Sequence, residues 1–218
     1  MDVLITGTYS GIGKATALYF LERDHHVTGL DCMEASIQHP NYIHVVADVR
    51  CPDQFPKNLK PQILINIAGV QDSGHDIDVN LKGVINVTEQ FAFHNDRMKA
   101  VVIMGSASAH TGSEFPEYAA SKGGLLAYTK NVANRLAPQA ICNSIDPGGV
   151  LTDLNKCVIE DEKLWNQIME LTPLKRWATP EEIAEWIYFV AVNNRFMTGQ
   201  NLLIDGGEAG NTKFIWPE

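Results

Sequence analysis

No stretch of the chain holds the roughly 18 consecutive apolar residues that a membrane-spanning helix needs. The first residues, Met1 and Asp2, run into a short apolar segment without the layout of a secretory signal. Positive charge is scarce: 17 Lys and Arg stand against 26 Asp and Glu, a formal net charge of −9. That balance argues against a nucleic-acid backbone or an anionic membrane as partner. Four cysteines, Cys32, Cys51, Cys142 and Cys157, are scattered without metal-ligand spacing or a small secreted scaffold around them. They read as reduced thiols in cytoplasm, and no metal is expected. Internal repeats, low-complexity tracts and linkers are also missing. What is present is 218 residues, 45% hydrophobic and 20% charged, which suits one domain over 1–218 with a full-sized core.

The most informative stretch follows the apolar run Ala100 to Met104, which reads as a buried strand. Ser106 stands just past that run, and Tyr-Ala-Ala-Ser-Lys from Tyr118 to Lys122 reads as helix. Residues four apart in a helix lie on one face, one above the other. The fold can therefore bring a hydroxyl, a phenol and an ammonium together. A free phenol titrates near ~10, too high for a base at neutral pH. An ammonium about 4 Å away favours the phenolate by roughly 4 kcal/mol at an effective dielectric near 20. That is about three pKa units. Ser106 is placed to hold a substrate oxygen where charge develops.

Upstream, Val3 to Ile5 is a short apolar run that ends in Thr6-Gly7-Thr8-Tyr9-Ser10-Gly11-Ile12-Gly13. Helical spacing of Ile12, Ala15, Thr16, Tyr19 and Phe20 follows, a candidate buried stripe. A strand, a glycine turn and a helix N-terminus make an anion site, because unpaired backbone N–H groups and the helix dipole converge there. Val27 to Leu30 then closes on Asp31, placed to accept the ribose hydroxyls of NAD and to repel the 2′-phosphate of NADP.

Ser, about a dozen residues, then Tyr-x-x-x-Lys, together with G-x-x-x-G-x-G, resembles the short-chain dehydrogenase/reductase family, and the resemblance covers nearly the whole chain. It implies cofactor contacts at Gly7, Tyr9, Ser10, Gly11, Ile12 and Gly13. Family members that use NADP carry a basic residue where this chain has Ser10 or Cys32, so NAD is the implied cofactor. Asp48 and Val49, at the end of a strand from Tyr42 to Val46, would face the adenine. Asn66-Ile67-Ala68-Gly69 resembles the family's Asn-Asn-Ala-Gly with one departure, Ile67. In the family that replaced Asn steadies the central sheet; the motif implies cofactor contacts at Asn66, Ala68 and Gly69, with Gly69 letting the ribose pass close by. Asn80 would hold a water that links Lys122 to solvent. Pro147-Gly148-Gly149-Val150-Leu151-Thr152 would hold the nicotinamide, with contacts at Pro147, Gly148, Val150 and Thr152. Tyr118 would be acid/base, and Lys122 its pKa modifier and a ribose ligand.

Alternating strands and helices imply an α/β fold: a doubly wound, Rossmann-like parallel sheet of about seven strands, with helices on both faces in three layers. The intervals from Asp31 to Asn66 and from Asn66 to Asn80 are short for the family and should trim peripheral helices. A Thr179-Pro180-Glu181-Glu182 start precedes a core-facing stripe of Ile183, Trp186, Ile187 and Val190. About 150–177 lies where the family keeps its substrate lid, with Leu154, Trp165, Met169 and Leu174 as pocket-lining or core-covering candidates. The implied activity is reversible NAD-linked transfer of hydride between a small-molecule secondary alcohol and its ketone. A cofactor-sensing regulatory protein, or an epimerase or dehydratase on the same fold, are the alternatives. Pairing through the helices of Asn80 and Tyr118, with small Ala119, Ala120 and Ala127, implies a homodimer or homotetramer. The tail from Glu208 to Glu218 is a candidate to reach a neighbouring subunit.

Overall fold

The computed structural model describes residues 1–113 and 115–210; most of the tail, from 211, lies outside them. The central apolar runs each form a strand: β1 (Asp2–Thr6), β4 (Ile63–Asn66) and β5 (Ala100–Met104). With β2 (His26–Asp31), β3 (Tyr42–Val46), β6 (Ile141–Pro147) and β7 (Asn201–Ile204) they make a seven-stranded sheet ordered 3-2-1-4-5-6-7. Every pairing is parallel. Alternate residues of the central strands feed two apolar layers, so these runs are unbroken rather than alternating. Leu4, Leu64, Val101 and Ile103 pack with Val87, Leu125 and Val132 on one face. Ile5, Ile65 and Val102 pack with Phe20, Ile183 and Ile187 on the other. The order reverses between β1 and β4, which opens a crevice at the strands' carboxyl ends.

Helix α1 (Gly11–Leu21) buries Gly13, Thr16, Ala17, Phe20 and Leu21. Thr16 and Phe20 of the expected stripe hold, but Ala17 and Leu21 replace Ala15 and Tyr19 because the buried face is rotated by one position. After β4, a π-helical stretch Ile77–Gly83 continues into α2 (Val84–Phe91). Helix α3 (Ser108–Thr111) and the long α4 (Pro116–Leu136) follow β5. Segment 153–171, without clear pattern in sequence, holds a 3₁₀ turn, α5 (Lys156–Ile159) and α6 (Glu162–Leu171). Helix α7 (Pro180–Tyr188) starts on a complete capping box: Glu182 N–H donates to Thr179 Oγ1, and Thr179 N–H donates to the Glu182 carboxylate. Ile183, Ile187 and Val190 are buried, but Trp186 is 44% exposed and stacks edge-on to Phe189. The helix offers the core only a narrow face, and Trp186 falls outside it.

The short interval from Asp31 to Asn66 shows as trimmed crossovers on both sides of β3. The β2–β3 connection has no helix, and β3–β4 has only the 3₁₀ turn Pro52–Gln54. A polar chain stitches the first in place: Thr8 Oγ1 and His44 Nδ1 both bond Tyr42 OH, and His44 Nε2 bonds the Met33 carbonyl. Gly29 admits this chain, because a Cβ there would collide with both Tyr42 and Thr8.

Candidate active site

A cleft of about 1230 Å³ opens over the carboxyl ends of the strands. Pockets for one small molecule usually span roughly 300–1,000 Å³, so the cleft has room for a cofactor and a second ligand. One wall is the β1–α1 turn. Gly7, at φ +78°, comes so close to Ala68 that a Cβ would stand 2.8 Å from its backbone, a conformation and a contact that need glycine. Ser10 caps α1 without a side-chain bond, so the first amides of the helix are left for an anion, and Gly11 and Ile12 line the cleft there. Gly13 is buried, also lines the cleft and packs on the Gly7 carbonyl.

Asp31 ends β2 beside this turn. Its Oδ2 accepts from Tyr9 N–H and its Oδ1 from Met33 N–H, both at 2.9 Å. Each oxygen keeps a lone pair for a further donor, as the ribose reading requires. Asp48 and Val49 line the next part of the cleft. Here the sequence reading missed a partner. Arg50 grips both oxygens of Asp48, with the shortest contact at 2.6 Å, and hydrogen bonding from Arg50 holds the Asp48 carboxyl below its usual range. Only the i, i+2 spacing could have hinted at this pair.

Ser106 and Tyr118 line the far end of the cleft with Lys122. Ser106 is buried, its Oγ accepting from Ser108 N–H at 3.2 Å. Lys122 Nζ lies 5.7 Å from the Tyr118 ring centroid and donates to the Met104 carbonyl at 2.9 Å. The lysine is 4% exposed. Its pKa falls from 10.5 to about 8 because burial penalises the ammonium, against which Asp146 and then Asp76 act. Gly69 brings backbone close to this nitrogen: a Cβ there would stand 3.7 Å from it.

Asn80 and Asn66 do not line the cleft among its described residues; they stand behind it. The buried Asn80 accepts from Val70 N–H and donates to the Val70 carbonyl and Ser121 Oγ. Its side chain thus clamps the loop after β4 to α4. Asn66 Nδ2 donates to Thr88 Oγ1 at 3.1 Å. Pro147, Gly148, Val150 and Thr152 form the wall opposite α1. Thr152 would touch a Cβ on Gly11 at 3.3 Å, so the two walls meet. Of the four lid candidates, Leu154 lines the cleft. Trp165 instead stacks on Trp177, Met169 is buried, and Leu174 is 63% exposed. Met169, and Trp165 on the buried Trp177, take the core-covering alternative, while Leu164, Ile168 and Leu171 join Leu154 along the cleft, because the cleft-facing side of α6 follows helical spacing that the sequence alone could not orient.

A family model described as Enoyl-(Acyl carrier protein) reductase matches residues 66–208. The 3-oxoacyl-(acyl-carrier-protein) reductase FabG of Thermotoga maritima is 31% identical, over 94% of this chain and 96% of the relative. A 2,3-dihydro-2,3-dihydroxybenzoate dehydrogenase of Escherichia coli is 30% identical over the same shares. Among solved structures, 4-hydroxyisoleucine dehydrogenase complexed with NADH superposes with a TM-score of 0.87 at 28% identity, over 97% of this chain and 99% of that one. Ligand-free aldohexose dehydrogenase of Thermoplasma acidophilum gives 0.86 at 27%, over 100% and 97%.

Proposed function

Since the chain belongs to the short-chain dehydrogenase/reductase family of oxidoreductases, we propose that it transfers hydride reversibly between NAD and a secondary alcohol or ketone. The observation that carries this reading is the buried Lys122 ammonium set beside Tyr118. Burying a cation costs folding energy, and such perturbed groups collect at functional sites.

The nicotinamide, when bound, supplies the hydride acceptor or donor. Gly7, Gly11 and the first amides of α1 hold its pyrophosphate, with Tyr9, Ser10, Ile12 and Gly13 shaping the turn. Asp31 takes the adenosine ribose, and Asp48 and Val49 flank the adenine. Ala68 and Gly69 would leave room for the second ribose, to which Lys122 would also donate. Pro147, Gly148, Val150 and Thr152 hold the carboxamide. Ser106 Oγ donates to the substrate oxygen, and Tyr118 Oη takes the hydroxyl proton in oxidation or returns it in reduction. Lys122 favours the phenolate. Asn80, its side chain occupied by Val70 and Ser121, acts through its main chain to link Lys122 to solvent by water.

NAD is favoured over NADP because Asp31 faces the ribose end and the nearby Arg50 charge is already neutralised by Asp48. The substrate end is apolar: Phe115, Leu154, Val158, Leu164, Ile168 and Leu171 line it. Among the described lining residues the only Lys or Arg are Lys122 and Arg50, so an uncharged substrate fits better than a carboxylate or phosphate. The exposed Ala120 and Ala127 on α4 suit pairing into a homodimer or homotetramer. No helix among the described residues is long and apolar enough to cross a membrane, and a cytoplasmic place is proposed with the rest.

The test is a panel of sugar alcohols, hydroxysteroids, cyclic diols and 3-hydroxyacyl thioesters, followed by absorbance of reduced cofactor. Tyr118→Phe should lower kcat by about 10²–10⁴-fold while NAD still binds by calorimetry. Undiminished turnover by Tyr118→Phe refutes the assignment, and binding of NAD without turnover of any panel member favours a sensor.

A further inference from the structure

Strand β6 carries a carboxylate that none of the roles above uses. Asp146 stands one residue before Pro147 on the strand face shared with Cys142 and Ser144. That face meets α4, since Cys142 packs with Leu125 and Val132. Asp146 has no exposed surface. Its Oδ2 lies 2.6 Å from Nε2 of His110 on α3. Its Oδ1 is buried and has no hydrogen-bond partner among the described residues. This second oxygen rests on Gly105, where a Cβ would collide with it. Gly105 separates Met104, whose carbonyl receives Lys122 Nζ, from Ser106. The carboxylate therefore sits against the strand end that holds both the lysine's acceptor and the serine.

We propose that Asp146 is a positioning residue of the hydride-transfer site, whose carboxylate, oriented by His110, keeps the buried Lys122 side chain in its ammonium form and so sustains Tyr118 as a base. This rests on the oxidoreductase reading above. A carboxylate with only a structural task would be expected to satisfy both oxygens; Asp146 leaves one unpaired and directed at the strand end. The carboxylates whose charge acts on Lys122 are Asp146 on β6 and, more weakly, Asp76 at the N-cap of the π-helical stretch. Tyr118 lies on the lysine's own helix. Asp76 is taken up by its loop, accepting from Asp72 N–H, Ser73 N–H and Ser73 Oγ. Facing Asp146 itself are His110 on α3 and Lys122 on α4, with the Ser144 hydroxyl on its own strand. Burial raises the Asp146 carboxyl above its ordinary value, outweighing the downward pull of Ser144, His110 and Lys122.

The experiment compares Asp146→Asn, His110→Gln and His110→Ala with the parent enzyme. Asn keeps the shape and an acceptor for His110, and Gln keeps a donor for Asp146. The alkaline limb of kcat for alcohol oxidation reports loss of the Lys122 proton. In Asp146→Asn it should move to lower pH by about one pH unit, the low end of the effect of a nearby opposite charge. His110→Ala should move it part of the way, and His110→Gln should restore it. A readout free of turnover is the ¹³Cε resonance of Lys122 in ¹³C-lysine protein, assigned by its loss in Lys122→Met. It should titrate lower by the same amount in Asp146→Asn, so failure of the oxidoreductase reading and failure of this proposal stay distinct. A lysine titration unchanged in Asp146→Asn overturns the proposal, as does a uniform fall of kcat at all pH with the limb in place. Should Asp146→Asn not fold, an unmoved limb or resonance in His110→Ala overturns it equally.

Discussion

Lys122→Met should make the protein more stable while abolishing its chemistry. Methionine approximates the lysine stem and leaves out the charge. Burial lowers the lysine from 10.5 to about 8, and at 1.36 kcal/mol per pKa unit that is about 3 kcal/mol of stability forgone at neutral pH. Losing the bond from Nζ to the Met104 carbonyl returns about 1 kcal/mol. The variant should therefore gain about 2 kcal/mol at pH 7, or a Tm higher by about 4–8 °C for a chain of this size. The pH dependence is the sharper signature. The unfolded chain's lysine titrates near 10.5 and the folded one near 8. Between those values the unfolded state binds more protons, so parent stability rises with pH. A variant without the group lacks that rise, and its advantage of about 2 kcal/mol should shrink above pH 8 at about 1.36 kcal/mol per pH unit and reverse near about pH 9.5. Urea unfolding at fixed protein concentration, followed by tryptophan fluorescence at pH 7 and pH 10, reads both effects as midpoint shifts at constant m. A variant less stable than the parent at pH 7, or a gap that ignores pH, would refute the account of Lys122 as a destabilising buried charge.

Two more outcomes follow from individual contacts. Thr179→Ala removes one half of the α7 capping box and should cost about 1 kcal/mol, lowering Tm by about 2–4 °C in calorimetry with kcat unchanged. Asp31→Ser should raise the NADP-to-NAD ratio of kcat/KM by about a hundredfold or more, because a unit-charge repulsion at roughly 4 Å and an effective dielectric near 20 amounts to about 4 kcal/mol; a ratio that stays put would remove Asp31 from the ribose site.

Much of the architecture was legible because it rests on local rules. Apolar runs of β1, β4 and β5 are strands since both faces of a central parallel sheet are covered. The Thr179-to-Glu182 start, the glycine turn and the i, i+4 spacing of Tyr118 and Lys122 need only neighbouring residues to be read. Even the trimmed crossovers beside β3 could be inferred from the short interval between Asp31 and Asn66. Periodicity was weaker where it had to say which way a face turns. It put Trp186 in the core and left open whether Leu154, Trp165, Met169 and Leu174 line the pocket or cover the core, because the orientation of a helix is set by what it packs against.

Residue type and spacing by themselves determined which groups could do chemistry: a phenol and an ammonium on one helix face, a hydroxyl at a strand end, an acid after β2. Tertiary structure alone decided how charged those groups are. The depressed pKa of Lys122 and the meeting of Asp146 with His110 across 36 positions of chain depend on burial and on separations through space. Both desolvation and Coulomb attraction act over a few ångströms, and distance along the sequence carries almost no information about either.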